Sequence, residues 1–177
     1  ILLTLAAVAV IGAINGFMIS KLKMLPFIAT YGMSTIVYGI NCLYFAKEPN
    51  NSQPIGGIRD DLKFLSTYKL FGQVSLLVVI AIVAIVVVWF VLNKTVFGKN
   101  IYIVGGSPEA AKVSGISVGK IIMAVFIIES CLVGLAGIME VARTGGANSS
   151  YGNAYEFDAI SSCVVGGVSL SGGGGKV

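Results

Sequence analysis

Eight acidic side chains, twelve basic ones and three cysteines are the groups this 177-residue sequence offers for chemistry, and it contains no histidine. Histidine-based acid–base catalysis and histidine metal ligation are therefore excluded. Cys42, Cys131 and Cys163 form no CxxC pair and stand in apolar surroundings. They read as small buried residues, not as a disulfide framework or a zinc site. Glu156 and Asp158 are two residues apart, too close to pair on one helix face, and no nucleophile or oxyanion donor accompanies them. Bond chemistry is not expected, and the chain does not read as an enzyme. The glycines of Gly166–Gly175 invite a phosphate-loop reading. A Walker A motif ending at Gly175-Lys176 needs Gly at position 170 and Ser or Thr at 177; Leu170 and Val177 stand there instead. No nucleotide and no other cofactor is expected. The run reads as small residues for close helix packing, with a possible break in the helix.

Three other groups remain. Glu129 interrupts an apolar stretch, where a charge costs roughly 2.5–3.5 kcal/mol on insertion scales. Such a residue is a functional hypothesis by default, here a proton carrier; the blander reading is an acid that faces a bundle interior or is protonated. Glu140 and Arg143 are three residues apart and can pair at a helix end. Tyr38, Asn41 and Tyr44 recur at three-residue intervals and read first as a polar, aromatic packing face, so no substrate ligands are assigned.

The most informative stretch is Phe97–Lys120, FGKNIYIVGGSPEAAKVSGISVGK. Ser107 can cap a helix that starts at Pro108, with Glu109 in the first turn, where its charge suits the helix dipole. Ala110, Ala111, Lys112 and Val113 continue it, and Gly115 is a natural stop. The residues leave two readings open: a surface helix packed on the membrane face, or a docking helix for a soluble partner, with small alanines permitting close approach.

These groups must be positioned by membrane helices. Hydrophobic residues make up 56% of the chain, charged residues 11%, and the mean hydropathy is +0.92. A soluble domain carries roughly 25% charged residues, so a water-facing surface cannot be built here. The net charge of +4 fits basic loops beside membrane helices, and no basic–aromatic stripe points to nucleic acid. A span needs about 20 apolar residues. Four stretches qualify, near 1–20, 24–46, 70–93 and 121–140, with a partial one over 159–175. Lys47–Lys69, with its prolines, glycines and acids, reads as a polar loop, and Lys94–Lys120 as a second polar connection. The fold class is all-α, a polytopic membrane domain; the alternation of a β-barrel strand is missing. Lys21, Lys23, Lys94, Lys99, Lys112 and Lys120 would share one side, against Lys47, Arg59, Lys63, Lys69 and Arg143 on the other. The first group sits in shorter loops, so the positive-inside rule leans towards a cytoplasmic 94–120. The start at Ile1 inside an apolar run and the end at Val177 in mid-motif suggest an internal piece of a longer protein.

GGSPEAAKVSGI resembles the cytoplasmic EAA-type loop of permease subunits of ATP-binding-cassette sugar importers, in their ribose/galactoside branch. NGFMISKLKMLPFIATYGM, TIVYGIN, NKTVFGKNIY and YEFDAISSCVVGGVSLSGGGG match the same branch in the same order and cover most of the chain. The wording of TIVYGIN and FGKNI points to members that carry galactose and methyl galactosides. The resemblance implies an inner-membrane, multi-pass subunit that translocates a sugar and does no bond chemistry. Its coupling helix, Gly106–Val113, would sit in a groove of a partner ATPase. A periplasmic sugar-binding protein, a second permease copy and membrane lipid are the other implied partners. Glu140 and Arg143 match the family wording at the outer end of their span and become an expected part of the outer gate. Lys47–Lys69 departs most from that wording. The family does not require an acid at Glu129; a proton-coupled secondary transporter using Glu129 is the alternative.

Overall fold

A computed structural model of the chain describes residues 1–48, 50, 53–57, 60–70, 73–169 and 172–175. Pro49, Arg59, Leu170, Lys176 and Val177, used above in reading the loops, the charge balance and the glycine-rich run, lie outside the described residues. The elements are α1 (Leu2–Ser20), α2 (Pro26–Ala46), α3 (Asp60–Thr67), β1 (Lys69–Leu70), β2 (Val74–Ser75), α4 (Leu76–Lys94), α5 (Val96–Gly106), α6 (Pro108–Val113), α7 (Val118–Thr144) and α8 (Tyr155–Val165). Among the described residues, α1, α4 and α7 are long and apolar enough to cross a membrane. At 1.5 Å per residue, the 19 residues of α1 and of α4 each reach about 28 Å, close to the ~30 Å hydrocarbon core. The 21-residue α2 has the length, but Thr30, Ser34, Thr35 and Asn41 make it more polar. Its first residue is Pro26, whose missing N–H costs nothing at a helix start.

The core of the molecule is the antiparallel seam of α1 and α7. A Cβ built on Gly12 would lie 2.5 Å from Ser130 Oγ and 2.6 Å from the Phe126 carbonyl oxygen. One on Gly16 would lie 2.9 Å from Met123 Cα, and one on Gly134 would lie 2.7 Å from Val8 Cγ2. Helices in lipid gain little from the hydrophobic effect, so they associate where small residues let backbones approach. Gly12 and Gly16, four apart on α1, form such a surface. α4, by contrast, is apolar on all sides and buries no residue within this chain.

Several boundaries differ from the sequence reading. α4 begins at Leu76, not near 70. Lys69–Leu70 pairs antiparallel with Val74–Ser75, and the Ser75 hydroxyl then caps α4 by accepting from Leu77 N. The 47–69 loop carries α3, which packs on α7 and α4. Ile55 and Ala147 exchange backbone hydrogen bonds of 2.9 and 2.8 Å, tying that loop to the end of α7. α7 extends from Val118 to Thr144 with no proline to interrupt it, and Gly145 caps it with φ +70°. The partial span over 159–175 is a helix over Tyr155–Val165 that stops at Gly166. Its 11 residues reach about 16 Å, half a span. The cysteines are not buried within the chain: Cys42 and Cys131 are half-buried and Cys163 is exposed.

Candidate functional site

The connection over 94–120 is a helical pair, not an open loop. Thr95 ends α4 and starts α5: its hydroxyl donates to the Val91 carbonyl and accepts from Gly98 N at 3.1 Å. Lys94 lies over the Trp89 ring at 5.8 Å, a cation–aromatic contact suited to a membrane boundary. The connection then turns at Ser107 into α6. The Ser107 hydroxyl accepts from Ala110 N at 3.2 Å, with Pro108 at the first position and Glu109 in the first turn. At the other end Gly115 N donates to Lys112 O and Ile116 N to Ala111 O, the Schellman pattern. Gly115 has φ +78°, which a Cβ would disfavour. Six residues alone would not hold a helix in water. Here a side-chain cap and a backbone cap fix it, and Ala111, at 0% exposure, anchors it.

The two alanines of α6 differ in exposure. Ala111 points into the protein, while Pro108, Glu109, Ala110, Lys112 and Val113 are exposed, Val113 at 91%. The glycine-rich tail reaches this end of the molecule. A Cβ on Gly105 would lie 2.7 Å from Gly173 N, and the Tyr102 hydroxyl lies 3.4 Å from the Gly175 carbonyl. Gly172 and Gly173 lie against Gly105 and Gly106 of α5, next to α6. Antiparallel α1 and α7 put Lys21 and Lys120 at this same end.

The second feature is a cleft of 930 Å³ between α1, α2, α7 and the segment leading into α8. Tyr38, Asn41 and Tyr44 all line it, together with Glu129. Tyr38 and Tyr44 are exposed, Tyr44 at 60%, and Asn41 is half-buried. Sequence reasoning missed Asn15. It is 8% exposed, lines the same cleft, and its Oδ1 has no hydrogen-bond partner. A lone amide between two glycines in the charge-free stretch GAING was the available signal.

At the far end of α7 the Arg143 guanidinium donates to both Glu140 oxygens, at 2.9 and 3.2 Å. The side chain of Arg143 is 64% exposed, so solvent screens the pair. Among the described residues no group of three or more metal-ligating side chains comes together.

Apolar helices of spanning length, a seam of small residues and a cleft between helices define a multi-pass α-helical membrane protein. The chain belongs to the family described as the permease component of branched-chain amino acid transport systems, whose model matches residues 1–173. It is accordingly a multi-pass protein of the inner membrane. It is 42% identical over 180 residues to the galactose/methyl galactoside import permease protein MglC of Haemophilus influenzae, covering all of this chain and 53% of that protein. The Escherichia coli protein of the same name is 43% identical over the same shares. The ribose import permease protein RbsC of Bacillus subtilis is 35% identical, over 92% of this chain and 49% of that protein. The chain thus spans about half the length of the curated relatives it matches. No solved structure matches it.

Proposed function

We propose that the chain is part of the transmembrane subunit of an ATP-binding-cassette importer that carries a monosaccharide, galactose or a methyl galactoside, across the inner membrane. The observation that carries this reading is similarity over the whole of this chain to permeases named for galactose and methyl galactoside import, at 42–43% identity. The capped helix α6 supports it. A six-residue helix held at both ends, with its outer face exposed, moves as a unit when a partner pushes on it. In this reading Gly106, Ser107, Pro108, Glu109, Ala110, Ala111, Lys112 and Val113 form the coupling element. It docks on an ATPase subunit in the cytoplasm, and that subunit hydrolyses the ATP. The opposite end faces a periplasmic sugar-binding protein, with Glu140 and Arg143 at the outer gate and the loop pinned by Ile55–Ala147 beside them. A second permease copy completes the pathway in a lipid bilayer.

The test is co-purification of the ATPase with the full-length parent, with and without Val113→Arg. Val113 is chosen over Ala111 because its side chain is on the surface, whereas arginine in place of Ala111 would disrupt the anchor of the helix. Loss of the ATPase in the variant, with the folded permease retained, is the expected result. A folded parent that never retains an ATPase would overturn the reading.

A further inference from the structure

The cleft beside the seam is mostly apolar but carries a few polar groups that the importer reading does not itself assign. The serine and threonine hydroxyls on its α2 wall are already engaged: Thr30 donates to Pro26 O at 2.9 Å, Ser34 to Tyr31 O at 2.7 Å and Thr35 to Tyr31 O at 3.0 Å. Asn15 is different. It is more than nine-tenths buried, its Oδ1 is unpartnered, and it borders the cavity. A buried amide oxygen without a partner is destabilising, and a ligand donor would relieve it. Gly12 and Gly16 flank Asn15 and press on the Met123–Ser130 turns of α7, so the same contacts set Asn15 against the part of α7 that carries Glu129. Tyr38 and Tyr44 form an aromatic wall on α2.

The charge of the cleft narrows the ligand. Glu129 and Glu156 are its charged residues, and neither Lys nor Arg lies among the described residues lining it. A carboxylate-bearing solute such as an amino acid would face two acids with no cation to pair with. A neutral polyol suits the cleft: a carboxylate accepts from two adjacent hydroxyls, an amide accepts from a third, and aromatic rings cover the apolar face of a sugar ring.

We propose that Asn15 and Glu129 are the specificity-determining pair of a monosaccharide subsite on the translocation path, with Tyr38 and Tyr44 as its aromatic wall. Glu129 is then a sugar contact and not a proton carrier. The proposal rests on the sugar-importer reading, and its test separates the two.

Full-length permease with its ATPase is reconstituted in liposomes and supplied with sugar-loaded binding protein. ATP-driven uptake of galactose and of singly deoxygenated galactoses is measured for the parent, Glu129→Gln and Tyr44→Leu. The binding protein's own preference is common to all three and cancels in the ratio. A site that hydrogen-bonds a hydroxyl rejects the analogue lacking it, so the ratio of galactose to at least one deoxy analogue should fall about tenfold in Glu129→Gln. Tyr44→Leu, whose side chain is exposed to the cleft and not needed for the seam, should lower uptake of every sugar alike. Unchanged ratios in Glu129→Gln beside an active parent would overturn the subsite and leave the importer standing. Uptake that follows a proton gradient and is abolished for every sugar by Glu129→Gln would overturn it in favour of proton coupling. A parent with no ATP-driven sugar uptake would sink the importer reading and the subsite with it.

Discussion

α1 meets α7 backbone to backbone, while α2, next in the chain, stands off and leaves a cleft. The contrast lies in the residues at the contact. On the seam a Cβ at Gly12 or Gly16 would strike backbone atoms of α7 within 3 Å. On α2 a Cβ at Gly32 or Gly39 would meet nothing among the described residues within 4 Å. Glycine thus has two meanings in one membrane domain. On α1 it is the contact; on α2 it is a place where no side chain is needed. A membrane protein that must both hold together and open a path needs both arrangements, because lipid gives no hydrophobic reward for closing either one.

The largest effect should come from breaking the seam directly. Gly12→Leu has no room against the Phe126 carbonyl, and overpacking of this kind costs about 1–3 kcal/mol or more. Size-exclusion chromatography of the detergent-solubilised full-length variant should show the parent's folded peak lost or much reduced. Gly39→Leu, the matched change on α2, should leave the peak in place; loss in both variants would erase the distinction. A smaller change of opposite sign should follow from Gly39→Ala. Removing a helix-interior glycine contributes up to about 1 kcal/mol where nothing clashes, so the thermal midpoint should rise slightly. The smallest effect is expected at the far end of α7. Glu140→Gln removes a half-exposed i,i+3 pair worth about 0.2–0.5 kcal/mol, and thermal stability should barely move. A change in transport without a change in stability there would mark the pair as a gate element.

The parts of the fold legible in the sequence were those set by neighbours along the chain. Long charge-free runs ended by lysines gave α1 and α2 to within a few residues. Ser107, Pro108 and Gly115 placed α6, since a cap is a contact between residues three or four apart. The helices α3 and α5 were missed because their residues look like polar connections; α3 packs on α7 and α4, and α5 is held by Thr95 and by packing on α4 and α7. The start of α4 was misplaced because pairing of Lys69–Leu70 with Val74–Ser75 decides where extended chain ends. In α8 the glycines at 166 and 167 outweighed the absence of charge that had suggested a longer segment.

By itself, then, the sequence determined that this chain lives in a membrane, where α1 and α2 begin and end to within a few residues, and that a short capped helix follows the third long apolar run. Hydropathy and capping are local quantities, readable from a few consecutive residues. Only the tertiary structure decided that α1 pairs with α7, that Ala111 faces inward while Val113 faces out, and that Asn15 and Glu129, 114 residues apart in sequence, border one cleft. Those outcomes depend on which small residues meet across two helices. In a solvent as apolar as the side chains themselves, shape complementarity and unpaired polar atoms choose the partner, and neither is written in a single segment.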